Sequence, residues 1–178
     1  KNRKLERGRE EDMELYSQLR YLVYAGELDK KENYDEFCEL VDIESCLDYY
    51  AFRIYIGNHD DWPARNYELW RVREKGSGEY EDGRWRFMLF DVNNTSMDVI
   101  DIDSGFDFVQ FVRDGDNMFD GLMENEDFKS RFYERLKNLS KTNCLPQRAE
   151  ALLRKRQSAM QLPMRGWYGR FAGDEDLI

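Results

Sequence analysis

One histidine and three cysteines are all that this 178-residue chain holds of the usual zinc ligands. Cys38, Cys46 and Cys144 lie far apart with no CxxC pair, which argues against a Cys/His zinc centre and leaves packing as the role of the thiols. No apolar run approaches the length that spans a bilayer, and the charged opening KNRKLERGREED lacks the apolar stretch of a signal peptide. Positive charge is in deficit too: 27 Lys and Arg stand against 37 Asp and Glu, a net charge of -10. Nucleic-acid backbones and anionic membrane surfaces reward basic patches, so neither is expected as the main partner. Internal repeats, low-complexity tracts and linkers are missing as well, and the chain reads as one domain, residues 1–178, long enough to bury a core.

What the chain has in quantity is aromatic surface. Eleven Phe, 11 Tyr and 4 Trp offset a charged content of 36% that would otherwise suggest disorder. Periodicity places these residues mostly on helices. Leu15, Leu19, Leu22 and Val23 fall on one face of a first helix that Gly26 ends, and Tyr34, Phe37 and Leu40 on one face of a second. Asp42 is placed to cap a third helix from Ile43, with Cys46, Leu47, Tyr50 and Ile54 inward. Segments 67–73 and 84–90 read as two strands joined by the glycine-bearing loop 74–83, with Trp70 and Trp85 packing across the pair. From Asn94 to Gly121 the chain is rich in Asp and Gly, with a short helix around Phe106 to Val112. Asn125 then caps a helix striped by Phe128, Phe132, Leu136 and Leu139, and Pro146 opens another to about Gln161. The expected class is α+β, mainly α, with one small antiparallel hairpin.

The chemistry concentrates where that hairpin begins and ends. Asp61 precedes Asn66 by five residues, and the apolar run Phe87 to Phe90 delivers Asp91 at a strand end. An antiparallel pair returns the end of its second strand to the start of its first, so Asp91 is expected beside Asp61 and Asn66. Protein kinases use these residue types for phosphoryl transfer: one Asp orients the attacking hydroxyl, while the Asn and the second Asp hold Mg²⁺. Alone, the Asp–Asn spacing is a common coincidence, and Asp91 is equally a strand-end turn residue. His59 is either a scaffold group or a free surface side chain. Asp98, Asp101 and Asp103 lack the Gly and distal Glu of a calcium loop and read as solvated. Lys75 in KGSG lacks the rest of a phosphate loop, and Arg148 to Arg156 read as the solvated face of a helix.

Taken together, DYYAFRIYIGNHDDWPARNYELWR and DGRWRFMLFDVN carry a pattern: Gly57, Asn58, Asp61, Trp62, Pro63 and Asn66, then Gly83, Arg84, Trp85 and Arg86, then Phe90 and Asp91. In this it resembles the CotH-type spore coat protein kinases, and the resemblance extends to the helix before Gly57 and to the C-terminal helices near MRGWYGRF. It implies the larger lobe of an atypical protein-kinase-like fold, with transfer of phosphate from ATP to Ser of coat or secreted proteins. Asp61 would be the catalytic acid, with Asp60 its rival, and Asn66 and Asp91 would bind Mg²⁺ and through it ATP. Asp61 is preferred for its spacing to Asn66 and because it directly precedes Trp62 and Pro63. The implied location is a spore coat or the cell surface.

Two departures from the family pattern bear on activity. Asn93 stands where members have a second acid, and Asn94, Thr95, Ser96 and Met97 replace a Gly-containing segment. No Gly-rich loop or strand lysine for the nucleotide phosphates is recognisable before Asp61, so the chain reads as lacking the smaller nucleotide-binding lobe and is expected to show little phosphotransfer by itself. The other reading is a non-catalytic assembly module of the coat or surface that keeps the kinase-like scaffold. Magnesium-dependent nucleotide binding separates the two.

Overall fold

Asp42 is the residue from which the arrangement is most easily built. Its Oδ1 accepts hydrogen bonds from the Glu44 and Ser45 amides at 3.1 and 3.3 Å, satisfying donors that the first turn of a helix leaves free. Its backbone shares in a parallel bridge between Val41 and Trp85: Asp42 N donates to Trp85 O at 2.9 Å, and Trp85 N to Leu40 O at 2.8 Å. One residue thus starts a helix and docks a hairpin on it.

The computed structural model describes residues 5–59, 62–63, 65–92 and 105–171, without the side chain of residue 171. Over these, the helices are α1 (Asp12–Ala25), α2 (Lys31–Leu40), α3 (Ile43–Tyr55), α4 (Phe108–Gly115), α5 (Asn117–Met123), α6 (Glu126–Lys141) and α7 (Pro146–Phe171). The strands β1 (Glu68–Trp70) and β2 (Arg86–Met88) pair antiparallel, with Glu68 opposite Met88, Leu69 opposite Phe87 and Trp70 opposite Arg86. The chain is mainly helical with one small antiparallel sheet, as its periodicity requires.

Two compact units divide the chain at residues 136 and 137. In the first, α3 is the central helix: Cys46, Leu47, Tyr50 and Ala51 are fully buried, together with Leu19, Phe37, Phe119, Phe128 and Phe132. Asn125 caps α6 by accepting from the Asp127 and Phe128 amides and also donates to Leu28 O at 3.2 Å. Between α6 and α3, Arg131 pairs with Glu44, and Arg135 with Glu44 and Asp48. The second unit holds the last turn of α6 and all of α7, where Leu152, Leu153, Met160, Leu162 and Trp167 are exposed.

Three expectations need correction. The strands are three residues each rather than seven, because the chain beyond Trp70 leaves the ladder. Trp70 and Trp85 do not pack on one another. Trp70 lies opposite Arg86, and Trp85, one residue away on an alternating strand, faces the other way. The Trp70 ring therefore lies near the Arg86 guanidinium (5.7 Å) and Tyr80 (6.4 Å), and the Trp85 ring near Tyr16 (6.0 Å) and Arg71 (5.7 Å). Helix α7 runs through Pro163 to Phe171, ten residues beyond its expected end.

Arg86 fixes the hairpin to α3. Only 3% exposed, it ion-pairs with Asp42 at 2.9 Å and Asp82 at 2.8 Å and donates to Tyr80 O at 3.1 Å. Hydrogen bonds from Arg86, then from Arg84, hold the Asp82 carboxyl far below the ordinary carboxylate range. A depressed acid stabilises the fold fully above its unfolded pKa, and that contribution is lost as pH falls toward the folded value. Asp82→Asn is therefore expected to cost about 1.5–3 kcal/mol at neutral pH, the range for charge-assisted hydrogen bonds. Thermal melts should show the deficit against wild type intact at pH 7 and shrinking below about pH 4. A deficit independent of pH would count against the ion pair as its cause.

Candidate functional site

Helix α3 ends in a run that turns the chain back over its own C-terminus. Gly57 adopts φ 63°, a left-handed conformation that favours glycine, and its amide donates to Ile54 O at 3.0 Å. The next residue, Asn58, is fully buried, its amide donating to Arg53 O at 3.0 Å and its Oδ1 accepting from Arg53 Nη1 at 2.6 Å. His59 Nδ1 lies 3.0 Å from Gly57 O, which makes it a scaffold group of this turn rather than a free side chain. Asp60, Asp61 and Ala64 lie outside the described residues, as do Asn93 and the 98–103 acidic cluster.

The loop re-enters the core at Trp62, 1% exposed, whose Nε1 donates to Tyr49 Oη at 3.0 Å. Pro63 follows, buried against the end of α4: a Cβ on Gly115 would come within 2.7 Å of Pro63 Cγ, so the missing side chain of glycine makes room for the proline ring. Beneath them is an aromatic floor. Tyr49 packs on Phe87 with ring centroids 4.9 Å apart, Tyr50 on Phe119 at 4.7 Å, and Tyr67 on Phe87 at 5.5 Å. Tyr50 Oη donates to Asp116 Oδ2 at 2.7 Å and lies 3.2 Å from Tyr67 Oη. Burial pushes the phenols of Tyr49, Tyr50 and Tyr67 up, so they remain protonated donors.

On this floor the structure brings Asn66 and Asp91 together. Asn66 Nδ2 donates to Asp91 Oδ2 at 3.1 Å, across 25 residues of sequence and from opposite ends of the hairpin. Both have left-handed backbones, φ 53° and 48°, and among the described residues they are the two non-glycine positions with positive φ. Asn and Asp accept this conformation better than other side-chain-bearing residues, but it still costs energy that surrounding contacts must offset. Those contacts come largely from Arg53. Its Nη2 donates to Asn66 O at 3.1 Å and also to Phe90 O, and its guanidinium lies 5.0 Å from the Tyr49 ring and 5.4 Å from that of Trp62. Tyr49 Oη donates to Asn66 O as well, at 3.4 Å.

Arg53 is the residue that sequence reasoning missed. Charged side chains are rarely buried unless paired, yet it is fully buried. Burial pulls its pKa down, opposed by Tyr49 and then by the Asp91 charge. The signal was present: Arg53 falls three and seven residues after Tyr50 and Cys46, on the same stripe of α3.

Asp91 carries a carboxylate and Asn66, whose amide nitrogen is engaged with it, an amide oxygen, the hard donor types that could hold a divalent cation. Among the described residues, this corner included, no group of three or more His, Cys, Asp or Glu that could hold a metal is present, and no helix is long and apolar enough to cross a membrane.

Among known proteins, a family model described as CotH kinase protein matches residues 1–166 of the chain. No curated protein and no solved structure matches.

Proposed function

The chain belongs to the CotH kinase protein family, and from that membership we propose that it is the larger, catalytic lobe of an ATP-dependent protein phosphotransferase acting on Ser of coat or surface proteins. The observation that carries the proposal is the Asn66–Asp91 pair: two left-handed residues from the two flanks of the hairpin, brought together by a hydrogen bond of 3.1 Å between the amide nitrogen of one and the carboxylate of the other. A fold has no need to place both unfavourable backbones there for packing alone, since Asp91 is exposed.

Asp91 supplies the formal charge that Mg²⁺ binding requires, and Asn66 adds a neutral oxygen and fixes the carboxylate's rotation through its amide nitrogen. Bound Mg²⁺–ATP would supply the transferable phosphoryl group and neutralise its developing charge. Asp61 accepts the proton of the attacking Ser hydroxyl, a role for an acid close to the nucleophile and separate from the metal. Tyr49, Trp62 and Arg53 hold the loop that bears Asp61 and Asn66 against α3, which keeps the donors preorganised.

The test is carried out on the full-length protein with ATP, Mg²⁺ and a Ser-containing coat peptide. Magnesium-dependent ATP binding and labelling of the peptide on Ser are expected. Absence of both would leave the family scaffold serving assembly of a coat or surface layer, with no phosphotransfer.

A further inference from the structure

Arg53 makes contacts that neither the family's residue pattern nor the proposed ligand set accounts for. Arg53 spends a single nitrogen, Nη2, on two carbonyls from separate parts of the chain: Asn66 O and Phe90 O. The first belongs to one proposed ligand, and the second to the peptide bond that leads into the other. A second nitrogen, Nη1, holds Asn58 at the start of the same loop at 2.6 Å, while the buried Nε makes no hydrogen bond among the described residues. The rings of Tyr49 and Trp62 accompany the guanidinium within 5.4 Å, so its position is set from the side as well as from its ends.

We propose that Arg53 is a positioning residue that clamps the turn at Asn66 to the turn at Asp91, so that the two left-handed segments open and close as one body. The consequence for metal binding rests on the function proposed above, but the coupling itself does not. Planar guanidinium geometry is what permits it: Nη2 reaches the two carbonyls while Nη1, fixed in the same plane, holds Asn58, and a lysine ammonium has no second nitrogen to keep that third contact and the orientation it imposes.

Hydrogen exchange on the full-length protein tests the coupling without any ligand. In the wild type, under conditions where exchange reports opening, the amides of 65–67 and 89–92 should share one opening rate. Different rates for the two segments would overturn the proposal even if no variant folds. In Arg53→Lys, which keeps the charge and most of the packed stem, both segments should exchange about tenfold faster or more while α1 and α2 stay within about twofold. A rise in one segment only, a uniform rise through the chain, or no change would each refute the clamp. In the same variant the Mg²⁺ concentration for half-maximal ATP binding should rise about 10-fold or more, the scale seen when an outer support of a metal site is lost, with metal-free ATP binding unchanged. If the wild type binds no nucleotide with Mg²⁺, the functional reading fails while the exchange data still decide the role of Arg53.

Discussion

Asp91→Asn is expected to abolish magnesium-dependent nucleotide binding in the full-length protein, weakening it by at least about 100-fold, beyond the 10- to 100-fold typical of outer-shell changes. The substitution is nearly isosteric, and Asn tolerates the left-handed backbone at this position, φ 48°. What it removes is formal charge: a carboxylate attracts Mg²⁺ through a full negative charge, an amide only through a dipole. The melting temperature should therefore stay close to wild type while the magnesium dependence disappears. Asn93→Asp provides the converse, since it adds an acid two residues on and should preserve or strengthen metal affinity. Near-wild-type magnesium dependence of Asp91→Asn would remove the metal assignment and return the protein to the assembly reading.

Asp61→Asn should act on a different quantity. Loss of a positioned general base typically costs about 10²–10⁴ in rate, and because that group acts on the hydroxyl rather than on the metal, the affinity for Mg²⁺–ATP should change little. The expected pattern is a large fall in kcat with nucleotide binding nearly intact. Asp60→Asn is the natural control, since the two acids are adjacent and only Asp61 has the five-residue spacing to Asn66. If Asp60→Asn carries the loss in turnover and Asp61→Asn does not, the roles are exchanged. If both weaken nucleotide binding equally, the DD pair belongs to the metal site instead.

How far the sequence led can be judged residue by residue. Asp42 and Gly26 marked real helix ends because capping depends on chemistry within four residues of the boundary. The family was readable from GNHDDWPARN and FDVN, because short polar motifs at fixed spacing survive without any knowledge of the core. Helix α5 was not legible. Its seven residues, NMFDGLM, span under two turns and include a glycine, too few for a period to emerge, although Phe119 and Leu122 are fully buried. Trp70 and Trp85 were paired by residue type, and the register, which depends on where each strand leaves the ladder, separated them. Arg53 was passed over because a charged residue in an apolar stripe is ordinarily its solvated edge. The two carbonyls that converge on it from the hairpin flanks, 13 and 37 residues away in sequence, could not be read from the helix itself, and with Asn58 they explain why it lies inside.

The left-handed backbone at Asn66 and Asp91 also constrains how this protein can change over evolutionary time. Beta-branched and bulky residues are heavily penalised at such positions, so the substitutions open to drift are few: Gly, or an exchange between Asn and Asp. Any of these would leave the turns, the aromatic floor and the Arg53 contacts able to form while altering or deleting a proposed cation ligand. A lineage that ceased to transfer phosphate could therefore retain a scaffold indistinguishable from that of an active relative. Its history would be written at two codons, where glycine at 66 or 91 would mark a chain released from chemistry but still held to its shape.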